Sequence, residues 1–274
     1  MFWLKTPISF WLVVFSYLIR RILRLPVPAI LGNWVYLLRL TLPLNYQILK
    51  TGDSVTVIAP HQRQRISLRF NSSDVLVYLQ VFFKGEYHLL NDLVLPSKPC
   101  IMDLGANVGL FSLLCQSRWP EARIVAIEPD PENFQQLTFQ FQQNNLLLAD
   151  AISGGSWTRN QKLSITKTND LLAWSFQVKE DPAGTIHGIS IRSLLESKNL
   201  QRIDLLKMDI EGTEVLLFKD SDFLEVLEKR IAVIILETHH PREQKEIAET
   251  LAVTGFDVCW DRELLMAKNK GMYS

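Results

Sequence analysis

Cysteine is scarce in this chain, and its spacing excludes the metal sites and cross-links that depend on it. The 274 residues include three, Cys100, Cys115 and Cys259. An odd number argues against a disulfide framework, and no pair has the spacing of zinc ligands. We therefore expect three reduced, buried thiols in a protein of the cytoplasm.

An excess of positive charge is also lacking. The 29 lysines and arginines match the 29 aspartates and glutamates, so the formal net charge is zero. Because a nucleic-acid surface needs clustered excess cations, we expect no nucleic-acid partner. The balance is nevertheless uneven along the chain, since the first 69 residues are rich in arginine and poor in acids.

Long hydrophobic runs are the third absence. Residues 8–19 are almost entirely apolar, but a transmembrane helix needs about 20 such residues. Lys5 precedes the run and Arg20, Arg21 and Arg24 follow it, which is the wrong flank for a signal peptide. Two interpretations remain open. One is that residues 1–25 contact a membrane as a helix in its interface, at the inner face, with Trp3, Phe10, Trp11 and Phe15 as anchors and the arginines near anionic headgroups. The other is a helix docked on its own domain or on a second subunit.

The composition changes along the rest of the chain. A hydrophobic fraction of 47% is ample for one large core. We expect an apolar helical arm over residues 1–44, a cap or extension over 45–95, and a main domain over 96–274. Two short strands are expected in the cap, and its segment 75–83 is compatible with either a helix or a strand.

In the main domain, apolar segments that end in acids alternate with helical segments. Asp103, Glu128, Asp209 and Glu237 each follow such an apolar run. This alternation is typical of an α/β fold with a mostly parallel sheet and helices on both faces. Ligands of such sheets bind beyond the carboxyl ends of the strands, so we expect the functional site there.

The turn after the first of these strands lacks the third glycine of a dinucleotide-binding motif. Its spacing is D-x-G-x-x-x-G, with Gly105, Asn107 and Gly109. Fewer glycines leave less room for a pyrophosphate, which disfavours a nicotinamide oxidoreductase. Asp103 ahead of the turn suits a ligand with an amine, and free N–H groups at the helix start favour a polar or anionic group.

The acid at the end of the second strand indicates the rest of the ligand. Glu128 follows the glycine turn by about 20 residues, where a carboxylate can accept hydrogen bonds from both ribose hydroxyls. A nucleoside that carries a charged amino acid and no phosphate fits both features. S-adenosylmethionine is such a molecule, and we expect it as the cofactor.

A second dense group of charges ends the fourth strand. Alternation along a strand puts Lys207, Asp209 and Glu211 on one side, and charges at a buried strand end are costly unless they are paired or bound. Two interpretations are open. Either Lys207 neutralises Asp209 as part of the structure, or Asp209 and Glu211 face the substrate or the cofactor's methyl group.

Four segments together resemble the FkbM family of S-adenosylmethionine-dependent methyltransferases, which have the Rossmann-like class I fold with a seven-stranded sheet. The segments are DLGANVG (103–109), AIEPDPENF (126–134), IDLLKMDIEGTE (203–214) and ILETH (235–239). The third of them is the most specific. The resemblance implies O-methylation of a hydroxyl group on a sugar, a glycan or a natural-product acceptor.

The resemblance also implies roles for single residues. The methionine part of the cofactor would be cradled by Asp103, Gly105, Asn107 and Gly109. Glu128 would hold the ribose, and Tyr87 would be a further cofactor contact. Lys207, Asp209 and Glu211 would lie at the reaction end. The chain departs from the family at residues 189–193, where the family often has an aspartate after an apolar pair.

A sugar hydroxyl is a poor nucleophile, so a general base would assist the reaction. The candidates are Asp209, Glu211, Glu237, His239 and His240, and Asp209 and His239 are preferred among them. Some of these groups could instead hold Mg²⁺ and acidify a diol. No ligand spacing demands a metal, and we expect none.

The segment 153–188 is long for a connection between two strands and is a candidate lid over the acceptor. Trp157 or Trp174 would stack on a sugar there, or else pack in a surface hairpin. Asp150 is expected to reach the adenine amine. The alternative to an enzyme is a membrane-associated binding protein that keeps this fold without catalysis, and the intact glycine turn argues against it.

Overall fold

The computed structural model describes residues 15–21, 23, 29–60, 64–167, 176–210, 212–238, 241–261 and 264–273. The chain divides into two compact units, Met1–Glu86 and Tyr87–Ser274. A three-stranded sheet belongs to the first unit, and a four-stranded and a seven-stranded sheet belong to the second.

The first unit combines two helices with a small antiparallel sheet. Its elements are helix α1 (Ala29–Thr41), strands β1 (Gln47–Thr51), β2 (Ser54–Ile58) and β3 (Arg65–Arg69), and helix α2 (Asp74–Phe82). The strands pair in the order β1-β2-β3. Strand β1 is absent from the sequence-based expectation, and the segment compatible with a helix or a strand is the helix α2.

Buried aromatic and charged side chains hold this unit together. The ring of Trp34 on α1 stacks on Phe70 with the centroids 4.9 Å apart. The carboxylate of Asp74, 1% exposed, accepts hydrogen bonds from the backbone N–H of Arg69 at 2.9 Å and from its guanidinium at 2.8 Å. The start of α2 is thereby tied to the end of β3, because a buried carboxylate needs such partners.

The second unit is an α/β domain. Its strands are β4 (Cys100–Leu104), β5 (Arg123–Glu128), β6 (Ala149–Ser153), β7 (Gly155–Ser156), β8 (Gln161–Lys167), β9 (Phe176–Glu180), β10 (Ile186–Ile189), β11 (Leu205–Met208), β12 (Val233–Glu237), β13 (Phe256–Asp261) and β14 (Leu264–Asn269). Its helices are α3 (Leu110–Arg118), α4 (Pro131–Gln143), α5 (Ile191–Ser197), α6 (Glu214–Leu217), α7 (Ser221–Arg230) and α8 (Pro241–Val253).

The central sheet has seven strands in the order β13-β14-β12-β11-β4-β5-β6. All neighbours are parallel except β14, which runs antiparallel to β12 and to β13. The predicted mostly parallel seven-stranded sheet is confirmed. Residues 233–236 of β12 are all buried apolar side chains, the run that a parallel strand covered on both faces requires.

The strand order changes direction between β4 and β11. From β4 the chain continues to β5 and β6 on one side, whereas β11 and β12 lie on the other side. Lys207 of β11 is the register partner of Asp103 of β4. A ligand site at the carboxyl ends of β4, β5 and β11 is the arrangement expected at such a switch point.

Several element boundaries differ from the sequence-based expectation. The third strand of the main domain begins at Ala149, because residues 144–148 close helix α4 and turn back toward the sheet. Helices α5 and α7 are not predicted from the sequence. Both begin at a capping side chain, since Ser190 Oγ accepts from Ser193 N at 3.2 Å and Asp220 Oδ1 accepts from Phe223 N at 2.8 Å.

The segment between β6 and α5 contains a second sheet, with the order β7-β10-β8-β9. Trp157, Leu163 and Ile186 form its small core. Trp157 is 6% exposed, and its indole N–H donates to Glu180 Oε1 at 3.3 Å. This packing favours the structural interpretation of Trp157 over sugar stacking, whereas Trp174 lies outside the described residues.

The burial of the three cysteines and the length of the apolar helices can be compared with the expectations from the sequence. Cys115 is buried and Cys100 is half-buried, but Cys259 is exposed because its strand β13 forms the edge of the sheet. The expectation of burial is therefore wrong for Cys259. Among the residues described above, no helix is both long enough and apolar enough to cross a bilayer.

Candidate active site

The glycine turn after β4 is shaped by three residues with positive φ. Gly105, Asn107 and Gly109 have φ values of 72°, 50° and 82°. A Cβ on Gly105 would overlap the backbone carbonyl oxygen of Asp209, and one on Gly109 would come within 2.6 Å of Leu137 Cδ1. The two glycines are thus required because other parts of the chain approach the turn so closely.

The N–H groups of this turn are already bonded within the protein. Gly105 and Ala106 both donate to Ile127 O, at 3.1 and 2.9 Å, and Asn107 donates to Glu128 Oε2 at 2.8 Å. These groups anchor the turn to the end of β5 instead of binding an anion. The turn therefore differs from a phosphate-binding loop, in which such N–H groups point at the ligand.

Glu128 is the buried acid at the end of β5. Its side chain is 4% exposed, and its Oε1 accepts from Asp130 N at 2.9 Å while Oε2 accepts from Asn107 N. Burial raises the pKa of Glu128 from 4.5 to about 7, although the two backbone hydrogen bonds act to lower it. A carboxylate offers about four lone-pair sites, so sites remain for hydroxyl donors.

Asp103, the acid two residues before Gly105, is enclosed by the protein. It is fully buried, its Oδ2 accepts from Ser112 Oγ at 2.7 Å, and its Oδ1 lies 3.3 Å from Lys207 Nζ. This position does not support the prediction that Asp103 cradles the cofactor directly. Asp103 is not among the described residues that line the cleft defined below.

Lys207 joins the ends of β4 and β11. Its buried ammonium donates to Gly105 O at 2.7 Å and lies 3.5 Å from Asp209 Oδ2. Burial alone would lower the pKa of Lys207, but the carboxylates of Asp103 and Asp209 outweigh it and raise the pKa. This geometry favours the interpretation that Lys207 neutralises neighbouring acids as part of the structure.

A tight loop follows β11 and is held by a residue that sequence reasoning leaves without a role. Glu214 is 3% exposed and accepts from Ile210 N and Gly212 N, both at 2.8 Å. Thr213 Oγ1 donates to Ile210 O at 3.0 Å. Glu214, two residues after Gly212, is the sequence signal for this loop, because its carboxylate can accept hydrogen bonds from the preceding N–H groups.

These turns surround an open cleft with an empty volume of about 570 Å³, the solvent at its mouth included. Among the predicted site residues, Gly105, Asn107, Glu128 and Asp209 line it. The remaining lining residues are Ile127, Pro129, Asn133, Gly155, Ser156, Val178, Ile210 and Thr213.

The small sheet contributes a polar group that the sequence does not single out. Ser156 is 4% exposed, and its hydroxyl is buried without a hydrogen-bond partner among the residues that the structure describes. Because a buried hydroxyl without a partner is costly, its position in the cleft lining indicates a ligand with a polar group. No local pattern marks Ser156, since only the fold of residues 155–189 brings it to the cleft.

Three predicted cofactor residues lie elsewhere in the domain. Gly109 packs against helix α4, as described above. Tyr87 is buried, and its ring meets Phe111 edge-on with centroids 4.7 Å apart. Asp150 is paired across the sheet with Val125, and its carboxylate lies 3.1 Å from Lys198 Nζ. This geometry does not support a contact between Asp150 and an adenine in the cleft.

The remaining predicted catalytic residues, Glu211 and His239, lie outside the described residues, as does His240. Glu237 ends strand β12 as expected. Within the described ranges, no group of three or more His, Cys, Asp or Glu side chains is placed to hold a metal ion. Asp209 is therefore the predicted base whose position in the cleft can be described.

Comparison with known proteins identifies the family. The model of the methyltransferase FkbM domain matches residues 103–258, a range that includes every lining residue of the cleft. The chain belongs to the FkbM methyltransferase family. The predicted family and fold are thereby confirmed, and the matched FkbM domain lies within the second unit.

The FkbM chain is also similar to individual methyltransferases. Methyltransferase sdnD of Sordaria araneosa is 30% identical over 225 residues, which cover 68% of this chain and 83% of sdnD. Hexuronic acid methyltransferase AglP of Haloferax volcanii is 24% identical over 155 residues, which cover 56% of this chain and 61% of AglP.

Among solved structures, a methyltransferase FkbM from Methylobacillus flagellatus matches with a TM-score of 0.48 and 14% identity. The match covers 70% of this chain and 47% of that protein, so the chain spans about half of its length.

Proposed function

We propose that this chain transfers a methyl group from S-adenosylmethionine to a hydroxyl oxygen of a sugar, a glycan or a natural product. The observation that carries the proposal is the buried carboxylate of Glu128, which lines a cleft at the carboxyl ends of three parallel strands. A carboxylate in this place suits a ribose with two adjacent hydroxyls.

The residues of the cleft fit S-adenosylmethionine better than a dinucleotide. The N–H groups of Gly105, Ala106 and Asn107 are bonded to Ile127 and Glu128, so these three are not free to bind a pyrophosphate. Glu128 retains acceptor sites for hydroxyl donors, and the unpartnered hydroxyl of Ser156 suits a further polar group. Glu128 and Asp209 are both acids, which favours a ligand with positive charge.

When bound, S-adenosylmethionine would supply a methyl group on a positively charged sulfur. Asp209 would receive the proton that the acceptor hydroxyl loses, a role supported by its position in the cleft lining and by its side chain, which is 28% exposed. Lys207 fixes that carboxylate from behind, at 3.5 Å. Much of the rate would come from holding the acceptor in line, which is the task of the cleft walls.

The acceptor class rests on the relatives and on the cleft. AglP is named a hexuronic acid methyltransferase, and a hexuronic acid is a sugar that carries ring hydroxyls and a carboxylate. The small sheet gives the cleft both a hydroxyl, from Ser156, and an apolar wall, from Val178. A wall of this mixed character suits a polyhydroxylated ring with one apolar face.

Binding of the cofactor product, S-adenosylhomocysteine, is the first test. Calorimetry should detect binding to the full chain, and Glu128→Ala should weaken it by about ten-fold or more, since hydrogen bonds to a charged group contribute about 1.5–3 kcal/mol. Asp222→Asn, a change in an exposed acid outside the cleft, is the control. Failure of the unaltered chain to bind would overturn the cofactor assignment.

Turnover is the second test. The full chain would be incubated with methyl-labelled S-adenosylmethionine and a panel of hexuronic acids, neutral sugars and polyhydroxylated natural products, and products heavier by one CH₂ would be sought by mass spectrometry. Asp209→Asn should keep the affinity for S-adenosylhomocysteine and lower turnover by about 10²–10⁴-fold, the usual contribution of a general base. Unchanged turnover would remove Asp209 from this role.

A further inference from the structure

Residues 15–21 form a helix whose apolar side chains are largely exposed. Phe15 is 64% exposed, Leu18 48%, Ile19 42% and Leu23 61%. Leu23 N donates to Ile19 O at 2.9 Å, so the helical hydrogen bonding extends to Leu23. Their spacing of three, four and eight residues from Phe15 puts these side chains on one side of the helix. We call these four residues the apolar stripe.

Arginines occupy the other side of the same helix. With a step of about 100° per residue, Arg20 and Arg21 fall away from the apolar stripe. Arg21 is exposed. A helix with an apolar stripe on one side and arginines on the other is the pattern of segments that lie in a membrane interface, where arginines reach the headgroups.

The charge of the surrounding sequence has one sign. The first acidic residue of the chain is Asp53. The charged side chains before it are all basic: Lys5, Arg20, Arg21, Arg24, Arg39 and Lys50. The apolar run before the helix adds Trp3, Phe10 and Trp11, and tryptophan is enriched at membrane interfaces. Basic and aromatic residues together suit an anionic lipid surface.

We infer that this segment docks the protein on an anionic lipid surface through the apolar stripe and the arginines beside it. A second copy of the chain is a less suitable partner for the apolar stripe, because a two-fold interface would bring the same positive charges together. Spanning is also disfavoured, since residues 8–19 would reach about 18 Å as a helix and a bilayer core is about 30 Å thick.

Vesicle co-sedimentation of the full chain tests the inference. Vesicles of phosphatidylcholine alone would be compared with vesicles containing phosphatidylserine or phosphatidylglycerol, at low and at physiological salt. We expect preferential binding to both anionic mixtures, weakened by salt. The triple variant Arg20→Gln, Arg21→Gln, Arg24→Gln should lose about a hundred-fold in partitioning, at about five-fold for each basic residue.

The matched control removes the same charge elsewhere. Lys219, Lys229 and Lys245 are exposed residues of the second unit, and their change to Gln should leave partitioning within about two-fold because they lie outside the docking segment. Leu18→Gln with Leu23→Gln keeps the charge but should also weaken binding. Affinity for S-adenosylhomocysteine, unchanged in every variant, would show that each is folded.

Three results would overturn the inference. They are no preference of the unaltered chain for anionic vesicles, equal losses in the arginine and lysine variants, and full binding by the Leu18 and Leu23 variant. Sedimentation equilibrium without lipid tests the alternative, in which a second copy of the chain covers the apolar stripe. If the leucine changes convert a dimer to a monomer while lipid binding stays unchanged, the apolar stripe covers a second copy instead.

Discussion

The affinity of the proposed cofactor should depend on pH through Glu128. Two of about four lone-pair sites on this carboxylate accept N–H groups, from Asn107 and Asp130. A ribose would place its hydroxyls on the sites that remain, and a bound proton occupies one of them. Because burial raises the pKa of Glu128 to about 7, protonation and ribose binding compete near neutral pH.

The size of the effect follows from that pKa. With a pKa of about 7, roughly nine-tenths of Glu128 is ionised at pH 8 and roughly one-tenth at pH 6. If the ionised form is the one that binds, Kd should rise about ten-fold between pH 8 and pH 6, or about 1.4 kcal/mol. Binding should release close to one proton at pH 6 and almost none above pH 8.

Isothermal titration calorimetry with S-adenosylhomocysteine measures both quantities. Titrations between pH 6 and 8.5, in buffers with different ionisation enthalpies, give Kd and the number of protons released. Glu128→Gln should bind more weakly at every pH and lose the pH dependence. His187→Gln is the control, since His187 lies on the exposed face of β10 and is not among the described lining residues of the cleft.

Two results would refute the reasoning. A Kd constant within two-fold between pH 6 and 8, or an unchanged slope in Glu128→Gln, would show that Glu128 does not couple binding to protonation. The stability of the ligand-free protein gives an independent check. Since its folded pKa is raised, Glu128 contributes stability that is full below pH 4.5 and is lost as pH rises through about 7, by about 3 kcal/mol.

Three further predictions concern the turns around the cleft. Gly105→Ala should abolish S-adenosylhomocysteine binding and lower the melting temperature, because its Cβ would overlap the carbonyl oxygen of Asp209. Lys207→Met should lower the free energy of unfolding by about 3–5 kcal/mol in denaturant titrations. Adding Asp103→Asn to this variant should recover part of that loss. If the effects of the two substitutions on stability were strictly additive, they would contradict the buried ion pair. Glu214→Gln should cost about 1–3 kcal/mol, since one N–H of its loop loses its acceptor, and an unaltered unfolding midpoint would argue against that.

The architecture around the site could be predicted because its signals are local. The strands β4, β5 and β12 are apolar runs with an acid as their last or next-to-last residue, and each is followed by helical residues. Gly105 stands where the backbone needs a positive φ. Such patterns depend on neighbours in sequence, and they were sufficient for the sheet and for Glu128 at its edge.

The roles of single charges could not be predicted, because they depend on contacts between distant segments. Asp103 precedes the glycine turn in sequence, but it is buried and pairs with Lys207, about a hundred residues later. Asp150 was expected just past the third strand of the main domain, yet it lies within β6 and pairs with Lys198. Sequence spacing places a residue on a strand and leaves open the partner that its side chain finds.

The second sheet was missed for a similar reason. Strand β7 has two residues, and it pairs with β10, about thirty residues away, rather than with its neighbour in sequence. A pairing between such distant segments is not visible in the local pattern of the sequence. The same fold brings Ser156 into the cleft, so the polar group most indicative of a ligand was the least visible in the sequence.

The cofactor end of the cleft is built as one connected piece. Asn107 N–H joins the first turn to Glu128 on the second, and Lys207 joins that first turn to Asp209 on the third. A shift of any turn would break hydrogen bonds in another, so the three hold one geometry cooperatively. The small sheet enters the cleft as a separate wall, through Gly155, Ser156 and Val178. We therefore expect changes within that wall to alter the choice of the proposed acceptor, while the three turns and the binding of the proposed cofactor stay intact.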